Sequence, residues 1–267
     1  MDKGAPAPPV STRATAMDAA TQSRQQLLTQ WFNDDAVPKR PRQRPVVPPP
    51  RIVVCLGGDG LALRPWLQRG YRSLAPEIRA EPERTADIVA ARKGRVAFAC
   101  AFPPCVDLAA AGARWWRRKR AENPAFQEEA IERLRNTELM LRSTGAPYCM
   151  FTPGSAMITK LWKGPNAIIS PYHYGGYLPE DHRHPTTPDV IPSRDRYHKS
   201  TYLYTGNGFV LPRRKPVVPV WVTRRHRKTG KVRRMSPVLA KRKYKHARRL
   251  APLGFLTAVA SIHGKPL

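Results

Sequence analysis

Three short, almost wholly apolar runs, each stopped by glycine or proline, narrow this chain to an alternating α/β fold. Ile52-Val53-Val54-Cys55-Leu56 ends in Gly57-Gly58-Asp59-Gly60. Val96-Ala97-Phe98-Ala99-Cys100-Ala101-Phe102 ends in Pro103-Pro104, and Tyr148-Cys149-Met150-Phe151 is followed by Thr152-Pro153. A strand with one wet face alternates apolar and polar residues, so uninterrupted runs predict strands buried on both faces, as in a parallel sheet. A helix-compatible stretch follows the first run as far as Arg69. After the second, Asn123 is placed to cap a helix and Pro124 to open it. Phe126, Ala130, Ile131 and Leu134 then recur at helical spacing until Gly145 and Pro147 stop it. Strands alternating with helices predict a mostly parallel, doubly wound sheet, whose ligand crevice lies at the carboxyl ends of its strands.

Charge is polarised along the chain. The 267 residues carry a formal net charge of +28, yet no acidic residue follows Asp195, and the last 72 residues hold 19 of the 47 Lys and Arg. Runs such as Arg213-Arg214-Lys215, Arg224-Arg225-His226-Arg227-Lys228 and Lys241-Arg242-Lys243-Tyr244-Lys245 repel one another unless a polyanion lies nearby, which makes nucleic acid the natural partner. A solvated basic tail, a ribosome-like role or a membrane-surface anchor is the blander alternative.

Residues 1–50 hold nine prolines and few large apolar residues besides Leu27, Leu28, Trp31 and Phe32, and are expected to be a disordered leader. Residues 51–165 form the predicted core and 166–245 an irregular basic region rich in Gly, Pro, Tyr and His. Residues 246–267 are expected to return a helix to the core. No apolar run approaches the ~18 residues of a membrane span. Cys55, Cys100, Cys105 and Cys149 include no C-x-x-C pair, so a disulfide scaffold or zinc ribbon is not indicated, and reduced thiols in a cytoplasmic, monomeric protein are expected.

Two motifs carry chemistry. Gly58 and Gly60, after the first strand, let the backbone approach a nucleotide-like ligand, although any tight strand-to-helix turn selects glycine. Glu77 lies 17 residues beyond Gly60, where an acidic group bonds ribose hydroxyls, and Asp87 is placed to read an adenine amino group. Cys105, held after two prolines at a strand's carboxyl end, is positioned like a nucleophile, with a small buried residue as the plainer alternative.

The order of Leu56-Gly57-Gly58-Asp59-Gly60, Glu77-Ile78, Asp87, Ala101-Phe102-Pro103-Pro104-Cys105-Val106-Asp107-Leu108 and Gly112-Ala113-Arg114-Trp115 resembles the cytosine-5 DNA methyltransferase family, and more closely its compact phage-borne branch. Leu161-Trp162-Lys163-Gly164-Pro165, Pro171-Tyr172-His173-Tyr174-Gly175-Gly176-Tyr177 and Thr201-Tyr202-Leu203-Tyr204-Thr205-Gly206-Asn207-Gly208-Phe209 are similar to the segments that follow the catalytic core there. The resemblance runs from about Arg51 to His263.

It implies a Rossmann-like sheet of the S-adenosylmethionine-dependent type. By it, Leu56, Gly58, Gly60, Glu77, Asp87 and Pro104 hold S-adenosylmethionine. Cys105 adds to carbon 6 of a cytosine flipped out of double-stranded DNA, and Arg114, Arg117, Arg118, Lys199, Arg213, Arg214, Arg224 and Arg225 contact that DNA. The family also uses a Glu to protonate the base, in a Glu-Asn-Val or Glu-Asn-Pro motif. Here Phe151 and Thr152 stand where Glu and Asn belong, which leaves the acid role to Asp107, Glu180 or another group. Glu122-Asn123-Pro124 spells the triplet but is explained as a helix start. The implied activity is therefore DNA cytosine methylation, and the alternative is an impaired relative that binds DNA without turnover.

His173, His182, His184 and His198 match no zinc spacing and are read as a solvated or DNA-facing loop. Trp115-Trp116, before Arg117-Arg118-Lys119-Arg120, suits either base stacking or core packing. Tyr172, Tyr174, Tyr177, Tyr202 and Tyr204 either line a DNA cleft or pack.

Overall fold

The computed structural model describes residues 52–57, 60–74, 85, 87, 89–90, 92–225, 229–240 and 247–264. Gly58, Glu77 and the leader lie outside the described residues. The three apolar runs become β1 (Ile52–Leu56), β3 (Val96–Ala101) and β4 (Tyr148–Pro153), each buried along nearly its whole length. Helix α1 (Arg64–Leu67) and the short strand β2 (Arg72–Leu74) follow β1. Helices α2 (Trp116–Glu122) and α3 (Phe126–Ser143) connect β3 to β4.

The helix expected from Asn123 begins two residues later. Asn123 accepts the Ala125 N–H on its side-chain oxygen at 2.9 Å, and Pro124 sits in the resulting turn between α2 and α3. An Asx turn competes with a cap for the same oxygen, and α2, unforeseen from the sequence, supplies the chain that turns.

Part of the basic segment 166–245, expected to be irregular, belongs to the sheet. After α4 (Ala156–Leu161), β5 (Ala167–Ile169) and β6 (Thr201–Gly206) complete a six-stranded sheet of order β2-β1-β3-β4-β6-β5. Strands β1 to β4 are parallel, while β6 runs antiparallel to β4 and β5. The chain is thus an α/β protein with a mainly parallel sheet. Thr201-Tyr202-Leu203-Tyr204 has the aromatic, β-branched composition that suits a pleated surface, and its register buries Tyr204 and Leu203 on opposite faces.

Each face of the sheet is covered. Val53, Cys55, Phe98, Cys100, Cys149, Phe151 and Leu203 pack with Trp66 of α1 and with Phe255, Leu256 and Val259 of the last helix, α6 (Leu253–His263). Val54, Leu56, Ala99, Ala101, Tyr148, Met150 and Tyr204 pack with Ile131, Leu134 and Leu141 of α3 and Ile158 of α4. Cys55 pairs with Cys100 and Cys100 with Cys149, so three buried thiols form one row across three strands.

The remaining chain is held by backbone bonds. Residues 209–221 form an extended strap without regular structure. It is fastened to the short coil Pro171–Tyr177 by Lys215 N–H to His173 O (3.0 Å), Gly176 N–H to Lys215 O (2.9 Å) and Val217 N–H to Tyr172 O (2.9 Å). The Tyr177 hydroxyl donates to Arg213 O at 2.8 Å. These bonds explain the Gly-Gly pair. A Cβ on Gly175 would meet Arg194 O at 2.3 Å and Val217 Cγ2 at 2.4 Å, and one on Gly176 would meet Lys215 Cβ and O at 2.8 Å. Beyond the strap, β7 (Val222–Arg225) and β8 (Val232–Met235) pair as a separate antiparallel ribbon that leads into α5 (Pro237–Ala240).

Gly175→Ala and Gly176→Ala are each expected to lower stability by roughly 1–3 kcal/mol, as overpacking does. Thermal denaturation reads this, and an unchanged melting temperature in both variants would show that the strap does not press on the coil.

Candidate functional site

Strand order reverses between β1 and β3, because the chain leaves β1 towards β2 on one side and β3 continues on the other. In an open α/β sheet this is where ligands bind, outside the carboxyl ends of the strands. Leu56 pairs with Ala101, and the Phe102 N–H donates to Leu56 O at 2.8 Å. Gly57, which follows Leu56, therefore stands beside the start of the 102–105 segment. Gly57 (φ +70°) and Gly60 (φ +75°) both take left-handed backbone, and among the described residues no heavy atom lies within 4 Å of where a Cβ on Gly60 would sit. The Leu56 side chain is fully buried in the core, so it supports the turn from below and does not line it. Pro104 is half-buried beside the turn's neighbour loop, and Asp87 is exposed on a helical piece.

Cys105 follows at this edge, half-buried and packed against the α3-side core. Its thiol donates to Pro103 O at 3.1 Å. Burial pushes the thiol up to about 12, and the Arg133 guanidinium opposes that only in part. In this state Cys105 is a neutral thiol and not the activated nucleophile its position suggests. Nearby, Ser155 Oγ donates to Leu108 O and ties the loop after β4 to the segment that follows Cys105. Asp107, two residues on, is engaged by Lys119 and, at 3.7 Å, by Arg133. Glu180 is 96% exposed at its side chain and pairs with Arg194.

Phe151, in the expected place of the proton donor, is 5% exposed. Its ring stacks on Phe102 at 4.5 Å and meets Phe255 edge-on at 5.7 Å. The position has become part of the core on the α6 side. Thr152 beside it is also buried.

Lys199 departs from expectation. It does not stand free on a DNA-facing surface: it is half-buried at the start of β6, with its backbone N–H donating to Ser170 Oγ at 2.9 Å. Desolvation draws its ammonium down to about 8 against the attraction of Asp195. Asp195 is fully buried, with φ +52°, and its carboxylate accepts the Gly254 N–H at 2.9 Å in the first turn of α6. Burial raises this carboxyl to about 7, while the backbone N–H groups of Gly254 and Leu253 and the charge of Lys199 pull the other way. Nothing local announces the burial of Asp195, since a lone Asp in a Pro-rich loop reads as solvated.

The arginines Arg114, Arg117, Arg118, Arg213, Arg214, Arg224 and Arg225 are all exposed. Trp115 is 44% exposed, with the Arg114 and Arg118 guanidinium carbons 4.8 and 5.4 Å from its ring centre. Trp116 turns inward and is half-buried. The histidine loop is not uniformly solvated: His184 is 1% exposed, with its Nδ1 3.0 Å from the Thr187 hydroxyl, and burial together with His182 lowers its pKa to about 4. His173 Nδ1 accepts the Ser170 N–H at 3.2 Å. Among the described residues, no three His, Cys, Asp or Glu side chains converge as a metal site. No described helix is long and apolar enough to cross a membrane. Tyr174 and Tyr204 are core residues, whereas Tyr172, Tyr177 and Tyr202 are half-buried.

Comparison with protein-family models, with curated proteins and with solved structures gives no significant match.

Two outcomes follow from these environments. Alkylation of Cys105 by iodoacetamide in the free protein is expected to run about 10³-fold slower at pH 8 than for an unperturbed thiol, because three units of pKa remove that factor of thiolate. Mass spectrometry of the peptide carrying Cys105 measures it, and rapid labelling at neutral pH would contradict the neutral thiol. For Asp195, folding binds the proton more tightly than the unfolded chain does. Its stabilising contribution is therefore complete below about pH 4 and lost as pH rises through about 7. Asp195→Asn, which keeps an acceptor for Gly254, is expected to remove that loss. Denaturant unfolding at pH 4 and pH 7 should show wild type losing on the order of a few kcal/mol relative to the variant; parallel pH profiles would refute the assignment.

Proposed function

We propose that this chain is a DNA cytosine-5 methyltransferase-like protein, in which the crevice takes S-adenosylmethionine and an extruded cytosine, Cys105 is the nucleophile and the basic C-terminal third holds duplex DNA. One observation supports the reading: the β1–β3 pairing sets the carboxyl end of β1, which runs into Gly57, beside the start of the Pro-Pro-Cys loop of residues 102–105 at the reversal of strand order. Either motif alone is common, and their adjacency at the ligand edge of the sheet is the arrangement this chemistry needs.

The left-handed backbone at Gly57 and Gly60, with open space among the described residues at Gly60, suits a nucleotide-like group, with Pro104 and Asp87 as the further described residues that would hold it. When bound, S-adenosylmethionine supplies an electrophilic methyl group. The chain's own work lies at the Cys105 sulfur. The S–H proton passes to solvent, the thiolate lone pair forms a bond to carbon 6 of cytosine, and the electron pair of the carbon 5–carbon 6 π bond moves onto carbon 5, which becomes nucleophilic. After methylation, water takes the proton on carbon 5, the electrons of that C–H bond re-form the carbon 5–carbon 6 double bond, and the carbon 6–sulfur bond breaks to return the thiolate. Arg133 favours the thiolate, and opening of the Pro103 carbonyl contact releases the proton. The base reaches the sulfur only by leaving the duplex.

Phe151 favours a second reading, a relative that binds DNA without turnover. Loss of a general acid typically costs about 10²- to 10⁴-fold in rate. Phe151 is locked in an aromatic stack, Asp107 is held in ion pairs, and Glu180 projects into solvent.

Expression in a host that lacks cytosine methylation, followed by nucleoside mass spectrometry of its DNA, decides between them. Methyl transfer predicts 5-methylcytosine that disappears with Cys105→Ser. Unmodified DNA from cells carrying folded, DNA-binding protein would defeat it in favour of the second reading.

A further inference from the structure

We propose that the β7–β8 ribbon is a groove-entering arm that lies in the major groove of B-form DNA, with Arg224 and Arg233 towards one wall and Arg225 and Arg234 towards the other. The inference rests on the DNA-binding half of the reading above and is independent of methyl transfer.

The register fixes the faces. Residues directly opposite in an antiparallel pair share a face, and successive residues alternate. Val222 pairs with Met235 and Arg224 with Arg233, while Thr223 pairs with Arg234 and Arg225 with Val232. Each face of the ribbon therefore carries two arginines, all four of them exposed. A ribbon meant to pack on a core has one apolar face, and this one has none beyond its half-buried base at Val222 and Met235.

Its charges work against folding in isolation. Arg224 directly faces Arg233, and like charges in that position are destabilising. Among the described residues no carboxylate pairs with any of the four arginines, and the chain has no acidic residue after Asp195. A lone two-stranded hairpin is marginal in water. A polyanion on both sides removes the repulsion that the sequence leaves uncompensated.

The root, by contrast, is anchored. Trp221 stacks on His198 at 5.7 Å, and Arg234 lies 5.7 Å over the Trp221 ring. Arg224 donates to Ala240 O at 3.0 Å, and Val238 of α5 is buried with Ile191, Tyr197 and Ala247. A fixed root with two charged faces suits a groove whose walls are phosphate on either side. The major groove of B-DNA, ~12 Å wide, admits a two-stranded ribbon, whereas the ~6 Å minor groove and the deep, narrow major groove of A-form RNA do not.

Fluorescence anisotropy with the full chain tests this on a mixed-sequence DNA duplex and on an RNA duplex of the same sequence, with salt titration and dimethyl sulfate probing of guanine N7. The DNA duplex is expected to bind about tenfold or more tighter than the RNA duplex, with N7 protected. R224Q/R233Q and R225Q/R234Q should each flatten the log K against log salt slope by about 2, roughly one phosphate per arginine. The fourfold Gln variant should lose N7 protection and the DNA preference, and the fourfold Lys variant should retain the slope. Equal binding of RNA, N7 protection that survives the fourfold Gln variant, or a Lys variant as impaired as the Gln variant would each overturn the proposal. Unmethylated DNA with ribbon-dependent N7 protection defeats methyl transfer alone, and methylation without ribbon dependence defeats this inference alone.

Discussion

The in-register pairing of β1 with β3 is the contact on which the rest of the molecule depends. Leu56 opposite Ala101, sealed by the Phe102 N–H on Leu56 O, sets where both strands end and therefore which loops become neighbours. Hydrophobic burial alone would tolerate another register, since every residue of both runs is apolar. Strands of this kind are positioned by their helical crossovers and by the residues that stop them, here glycine on one side and two prolines on the other. A slip of one residue would turn the side chains of one strand over, sending Cys55 or Cys100 to the α3 face, and would shift the end of β1 against Cys105.

The aromatic contacts at the same edge give the candidate site its particular character. Phe102 and Phe151 lie face to face across adjacent strands, and Phe255 closes the group from α6. The result is a dry, well-packed wall where a carboxylate would need solvation or a cation. On the other face of the sheet the Cys105 thiol is desolvated too. Burial thus sets both features at the crevice that bear on reactivity, and the charge that the sequence advertises so loudly sits elsewhere, on the strap, on α2 and on the ribbon.

Much of the core was legible from sequence because its signals are local. Uninterrupted apolar runs identified β1, β3 and β4, and the spacing of Phe126, Ala130, Ile131 and Leu134 identified α3. Between Pro153 and the returning helix α6, which was itself expected, the reading failed. β5 and β6 join the sheet through pairings distant in sequence, and in such pairings tertiary context decides what composition leaves open. The ribbon did carry a signal, Val-Thr-Arg-Arg and Val-Arg-Arg-Met around Thr229-Gly230, with Gly230 at φ +65°, but its charge drew the eye from its alternation. The position of Cys105 could be read from its strand end; the state of its proton could not, because burial is set by residues far along the chain. For Asp195 nothing local announced its burial, nor for Lys199 its desolvation.

The row of Cys55, Cys100 and Cys149 has a consequence for the chemistry of the interior. Neighbouring strands lie about 4.8 Å apart, within the Cα separation that a covalent sulfur bridge spans. Exclusion of oxidant by the packing of Trp66, Phe98 and α6 keeps these thiols apart chemically. The same overlayer that stabilises the sheet therefore also preserves its redox state, and a molecule that breathes on that side exposes three adjacent sulfurs at once.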